Sequence, residues 1–170
     1  SGVAAIIALS EYFAKEANRP SRSLLFVSFG AEEMGILGSR YFVANCPVAI
    51  KSVKAMVNLD MVGRLKSQDP ALTISGTGTF TVADSLIDLL GKNRSFVIKK
   101  SPDGYGPSDH AAFYGKDIPV LFITTGAHED YHTPDDMASR INYNGVEQVI
   151  DFTADLVAVL SDMPVAPVFR

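Results

Sequence analysis

At 170 residues, with 47% hydrophobic and 20% charged, the chain has the balance of a globular protein long enough to bury a substantial core. A formal charge of −4 offers no basic surface for nucleic acid, and no apolar run approaches the roughly 20 residues that span a bilayer. The single Cys46 excludes an internal disulfide and a cysteine zinc cluster.

Taken in order, Val3 to Ala17 carries Val3, Ile6, Ile7, Leu9 and Phe13 at helical spacing, and Asn18-Arg19-Pro20-Ser21 ends the pattern. The run Leu24-Leu25-Phe26-Val27-Ser28-Phe29 reads as a strand covered on both faces. It leads into Gly30-Ala31-Glu32-Glu33-Met34-Gly35, whose glycines permit a tight turn. A helix is expected over Gly38–Asn45, stopped before Pro47, and a second strand over Val53–Leu59, ending on Asp60. A third strand covers Ala71–Ser75. Thr79 or Thr81 is the expected cap of a helix over Val82–Leu90, with Gly91 as its left-handed stop.

A short strand comes next at Phe96–Lys99, and then the glycine- and proline-rich loop Ser101 to Pro107. Ser108 is placed to cap a short helix ending at Gly115. Ile118–Thr124 is the most apolar strand of the second half, with the loop Gly126–Asp136 after it. The last helix, Asn144–Leu160, has the clearest 3.6-residue period, and the tail from Pro164 is expected to fray. Strands alternating with helices give an α/β class: a three-layer α/β/α domain over residues 1–170, with a mostly parallel mixed sheet.

The loops beyond the apolar strands share one chemistry. Glu32 and Glu33 come after one strand, Asp60 after another, and Tyr131-His132-Thr133-Pro134-Asp135-Asp136 lies beyond the last. Strand carboxyl ends of one sheet share a rim, so these side chains would converge there. Asp, Glu and His are the oxygen and nitrogen ligands of zinc, cobalt or manganese. Each residue also has an ordinary reading: a solvated Glu-Glu pair, an Asp60 cap, a hydrogen-bonded loop histidine at 132. His128 and His132 are four apart, but Gly126 and Pro134 argue against a helix, and no H-E-x-x-H is present. His110 reads as structural.

Four blocks carry a resemblance: Phe29-Gly-Ala-Glu-Glu-Met-Gly-Ile-Leu-Gly-Ser39, Asn58-Leu-Asp-Met-Val-Gly-Arg64, Ser108-Asp-His-Ala-Ala-Phe113 and Tyr131-His-Thr-Pro-Asp-Asp136. In that order they resemble the co-catalytic di-zinc aminopeptidases, metallo-exopeptidases of zinc-peptidase-like α/β/α fold. The resemblance implies Glu32 as general base, Glu33 and His132 as ligands of one zinc, and Asp60 as a ligand of the other. It implies Tyr131 near the scissile carbonyl oxygen, and Asp109 with His110 shaping the substrate pocket. The implied substrate is a peptide with a free amino terminus. Many relatives are exported, which favours a periplasmic or extracellular setting.

A two-metal site of this kind needs about five protein ligands, one of them bridging. The chain offers three of these, Glu33, Asp60 and His132. The resemblance implies that the others, with early strands including one interior to the sheet, lie upstream of Ser1. These residues alone should then hold one zinc or none, and the sheet should show a gap, an unpaired edge open to self-association, or a strand from another chain. Two rival readings stand beside this one. A glutaminyl-cyclase-like acyltransferase uses a related fold and a single zinc, but its sites are typically tryptophan-lined and this chain has no Trp. A non-catalytic binding module on the same fold would have lost its ligands.

Overall fold

The computed structural model describes residues 1–170, and its centre is a sheet of four strands in the order β1-β4-β2-β3. These are β1 (Met56–Leu59), β2 (Ala71–Ser75), β3 (Val97–Ser101) and β4 (Val120–Thr124). The pairs β1–β4 and β2–β3 are parallel and β2–β4 is antiparallel, so the sheet is mixed and mostly parallel, as the alternation predicts. The helices are α1 (Gly2–Ala14), α2 (Leu37–Ala44), α3 (Ala83–Gly91), α4 (His110–Tyr114) and α5 (Tyr143–Asp162).

Alternation along the strands sorts side chains onto two faces. Leu72, Ile74, Leu121 and Ile123 enter one core with Ala5 of α1, Leu86 and Ile87 of α3, and Val149, Phe152 and Leu156 of α5. Val120 turns to the opposite face, where it packs with Val43 of α2, Phe113 of α4 and Ile118. Phe122 faces the same way and stacks on His110, ring centroids 4.6 Å apart. The result is three layers. Gly2 is where α1 meets the end of β1: a Cβ there would lie 2.2 Å from the Leu59 carbonyl oxygen, so only glycine lets the two elements approach.

Residues 24–29 correct the sequence reading. They are extended but form no strand, because their backbone hydrogen-bonds to no other backbone group. A ladder needs a neighbour, and the sheet edge that faces them, that of β1, is separated from them by an apolar cavity of about 590 Å³. Leu24, Val27 and Phe29 line one side of it and Ala55, Met56 and Val57 the other. Leu9 of α1 and Val157 and Leu160 of α5 close one face; Phe42 and Phe113 close the other. Leu25 and Phe26 remain exposed.

Smaller departures have local causes. Helix α1 ends at Ala14 and a 3₁₀ turn, Glu16–Asn18, takes up the remainder. Strand β1 starts at Met56 because Ile50–Ser52 forms a 3₁₀ turn. Thr79 caps nothing: its buried hydroxyl donates toward the carbonyls of Gly76 and Val120, and Val82 stands at the helix start without a side-chain cap. Gly91 is the last residue of α3 rather than a left-handed stop. The tail is tied down, since Phe169 bridges to Phe80 and the Arg170 amide donates to the Thr79 carbonyl.

Candidate active site

Each site residue is delivered by a loop shaped by its own turn residues. In the Gly30–Leu37 turn the amides of Gly35 and Ile36 both donate to the Glu32 carbonyl, with Ala31, Gly35 and Ile36 at positive φ. The turn closes against α2, where a Cβ on Gly38 would lie 2.4 Å from the Gly30 carbonyl oxygen. Asp60 comes directly after β1, and its amide donates to the Ile123 carbonyl of β4. The loop after β4 folds through consecutive turns, Tyr131 amide to His128 carbonyl, Thr133 to Asp130 and Asp136 to Thr133.

These loops meet. His132 Nε2 lies 2.9 Å from Glu33 Oε1, and the Tyr131 and His132 rings are 3.9 Å apart. Glu32 is half-buried, and that burial holds its pKa up, helped by the carboxylates of Asp60, Glu33 and Asp109 and opposed by His132. Partial desolvation raises the pKa of the exposed Tyr131 phenol, with Glu33, Asp60 and Glu32 adding to it, so the phenol stays protonated and able to donate. Glu32, Glu33, Asp60, Asp109, Tyr131 and His132 thus share one electrostatic neighbourhood.

Behind this rim is a polar layer that the pattern of residues did not reveal. Asn58 Nδ2 donates to Ser108 Oγ at 2.8 Å, and Ser108 donates to Asp60 Oδ2 at 3.0 Å. Ser108 therefore orients Asp60 instead of capping α4, whose first turn has no side-chain cap. A signal for this did exist, because Asn58 lies on β1 and Asp60, two residues on, directly follows it, the spacing that puts side chains on one face of extended chain. Asp109 is buried with Oδ1 unpartnered; burial raises its pKa against a Ser39 hydrogen bond that lowers it. His110 is fully buried, its Nδ1 3.5 Å from Asn58 Nδ2 and its Nε2 without a partner. Burial pushes its pKa down to about 4, so it is neutral at pH 7. On the far side, Arg64 binds Asp130 at 2.8 Å and Asp136 at 2.7 Å, bracketing the loop that carries Tyr131 and His132.

One imidazole and several carboxylates form a donor set suited to zinc. In the arrangement seen, however, no group of three or more His, Cys, Asp or Glu side chains is placed to hold a metal ion. Glu33 and His132 touch each other, while Asp60 turns to Ser108.

Comparison with known proteins gives this arrangement a family. The chain is 32% identical over 132 residues to leupeptin-inactivating enzyme 1 of Streptomyces exfoliatus, covering 75% of this chain and 28% of that enzyme. In structure it resembles the LapA aminopeptidase of Legionella pneumophila with a TM-score of 0.78 and 25% identity, covering 94% of this chain and 45% of that one. The zinc aminopeptidase BSAP of Bacillus subtilis gives a TM-score of 0.67 at 25% identity, over 82% of this chain and 36% of that one. The chain therefore spans less than half the length of these relatives. The model of peptidase family M28 matches residues 1–157, and the chain belongs to that family.

Proposed function

We propose that this chain is part of a zinc aminopeptidase catalytic unit that removes amino-terminal residues from peptides. The observation that carries the proposal is the meeting of the Glu32-Glu33 turn with the Tyr131-His132 loop, at a rim where Glu32 also feels Asp60. Glu33 and His132 would hold one zinc and Asp60 the other. When bound, the two zincs supply Lewis acidity that polarises the scissile carbonyl and eases deprotonation of a water.

The protein's own groups do the rest. Glu32 takes the water's proton and returns it to the leaving amine; a carboxyl with a raised pKa suits both transfers. The protonated Tyr131 phenol donates to the oxygen that gains charge as the carbonyl is attacked. Asp109 shapes the floor of the substrate pocket beside α4, and nearby carboxylates attract the free amino terminus.

The complete site holds two zincs with about five protein ligands, of which this chain supplies Glu33, Asp60 and His132. The remainder comes from the part of the longer protein that the relatives' lengths indicate. The cavity between residues 24–29 and β1 supports this, because it is lined mainly by apolar side chains and lies beside the unpaired edge of β1. Without that strand, the open edge of β1 is the surface through which copies would associate.

Zinc stoichiometry and leucine-p-nitroanilide hydrolysis, measured on this chain and on one extended upstream, test the reading. Two zincs and turnover are expected only in the extended form. An extended protein that is metal-free and inert leaves the fold with a binding role. Release of ammonia from glutaminyl peptides without peptide cleavage would favour the cyclase chemistry.

A further inference from the structure

We propose that Arg64 is a positioning residue that sets where His132 stands relative to Glu33 and Asp60. The inference rests on the reading of His132 and Asp60 as metal ligands, and it starts from the backbone. The segment Asp60–Arg64 is anchored at several points: the Asp60 amide donates to Ile123, the Thr125 amide and hydroxyl donate to the Met61 carbonyl, and the Asn142 amide donates to the Gly63 carbonyl. The Arg64 amide itself donates to Thr125 Oγ1 at 3.2 Å. Asp60 and Arg64 therefore leave one rigid platform in different directions.

From that platform the guanidinium crosses the next loop. Nη1 binds Asp130 and Nη2 binds Asp136, so one side chain joins the residue just before Tyr131-His132 to the residue that ends the same run of turns. The Asp130 side chain is 9% exposed and that of Arg64 17%, which shields the first contact from solvent; Asp136 is 44% exposed. Arg140 and His128 also draw the Asp130 pKa down, yet neither makes a close ion pair with it. His128 lies 3.8 Å from Asp136.

The loop needs such a restraint. His132 sits at φ +59°, a left-handed conformation unfavourable for a residue with a Cβ, and it persists only where the surroundings hold it. Its turn hydrogen bonds each span only three residues, so with its ends unrestrained the loop is free to open them. The forked guanidinium, binding two carboxylates at a fixed angle, removes that freedom; a lysine ammonium is a single point charge on a flexible stem and cannot do so.

The test compares Arg64→Gln and Arg64→Lys with the unsubstituted protein, by amide hydrogen exchange in this chain and by zinc affinity against a chromophoric chelator in the upstream-extended form. In Arg64→Gln the Thr133 and Asp136 amides should exchange about tenfold faster, with the Leu121–Ile123 amides unchanged, as expected for loss of charge-assisted hydrogen bonds confined to one loop. Zinc should bind about tenfold more weakly in the same variant, the scale of losing a positioning contact to a ligand. Arg64→Lys should fall between. Unchanged exchange at Thr133 and Asp136 overturns the proposal, as does an equal rise across the sheet. Faster local exchange with unaltered zinc affinity also overturns it, because the contact would then tether the loop without placing a ligand. If the extended form with Arg64 intact binds no zinc, the metal reading fails while the exchange measurement still decides whether Arg64 fixes the loop.

Discussion

Among single residues, His110 links the polar layer behind the rim to the pH dependence of stability. Its ring is fully buried against Phe122, and its pKa falls from 6.5 to about 4. A group whose folded pKa is depressed binds fewer protons in the folded state than in the unfolded one. Its contribution is therefore complete above about pH 6.5 and is lost as pH falls toward 4. Between pH 7 and pH 5 this amounts to about 2 kcal/mol of lost stability. Urea midpoints of the unaltered chain should fall over that interval, and those of His110→Leu should fall less; parallel pH dependences would remove His110 as the cause. In the sequence His110 reads as structural, and its burial agrees. Ser108 reads as a cap but is not one, since local pattern cannot show that a hydroxyl faces Asp60, 48 residues away in the chain. Glu32 and Glu33 were legible because adjacent carboxylates between glycines stand out on their own. Arg64 was not, since its role depends on a loop more than 60 residues further on.

At the level of elements, the apolar periods placed every helix and all four strands of the sheet to within a few residues. The failure at 24–29 is informative. Its side chains have strand composition, but a strand is defined by a ladder, and these residues have no backbone partner. Their amides should exchange with solvent much faster than those of β4, which is paired on both sides. Protection of 24–29 comparable to β4 in the isolated chain would mean that a partner occupies the gap. Leu25 and Phe26 are exposed in this otherwise apolar segment because no element packs over them.

For the molecule as a whole, an open apolar slot next to an unpaired edge is an invitation to self-pairing. Sedimentation velocity of this chain should show association that rises with concentration. Val27→Lys, which puts a charge into the slot, should suppress it. Association unaffected by Val27→Lys would place the contact elsewhere. Extension of the chain upstream should suppress it too, and should be the form that holds two zincs and hydrolyses leucine-p-nitroanilide.

Fold class, layering and the chemistry of the rim were all legible in the order of residues. Hydrophobic period and glycine position act locally, and residues such as Glu32, Asp60 and His132 carry their donor chemistry wherever they sit. Which of these groups touch was settled by packing alone. Packing brought Glu33 to His132, turned Asp60 toward Ser108, set Arg64 across the two ends of one loop, and left 24–29 without a ladder. Those outcomes depend on contacts between segments far apart in the chain, whose geometry is set by how the sheet and its two helical layers pack.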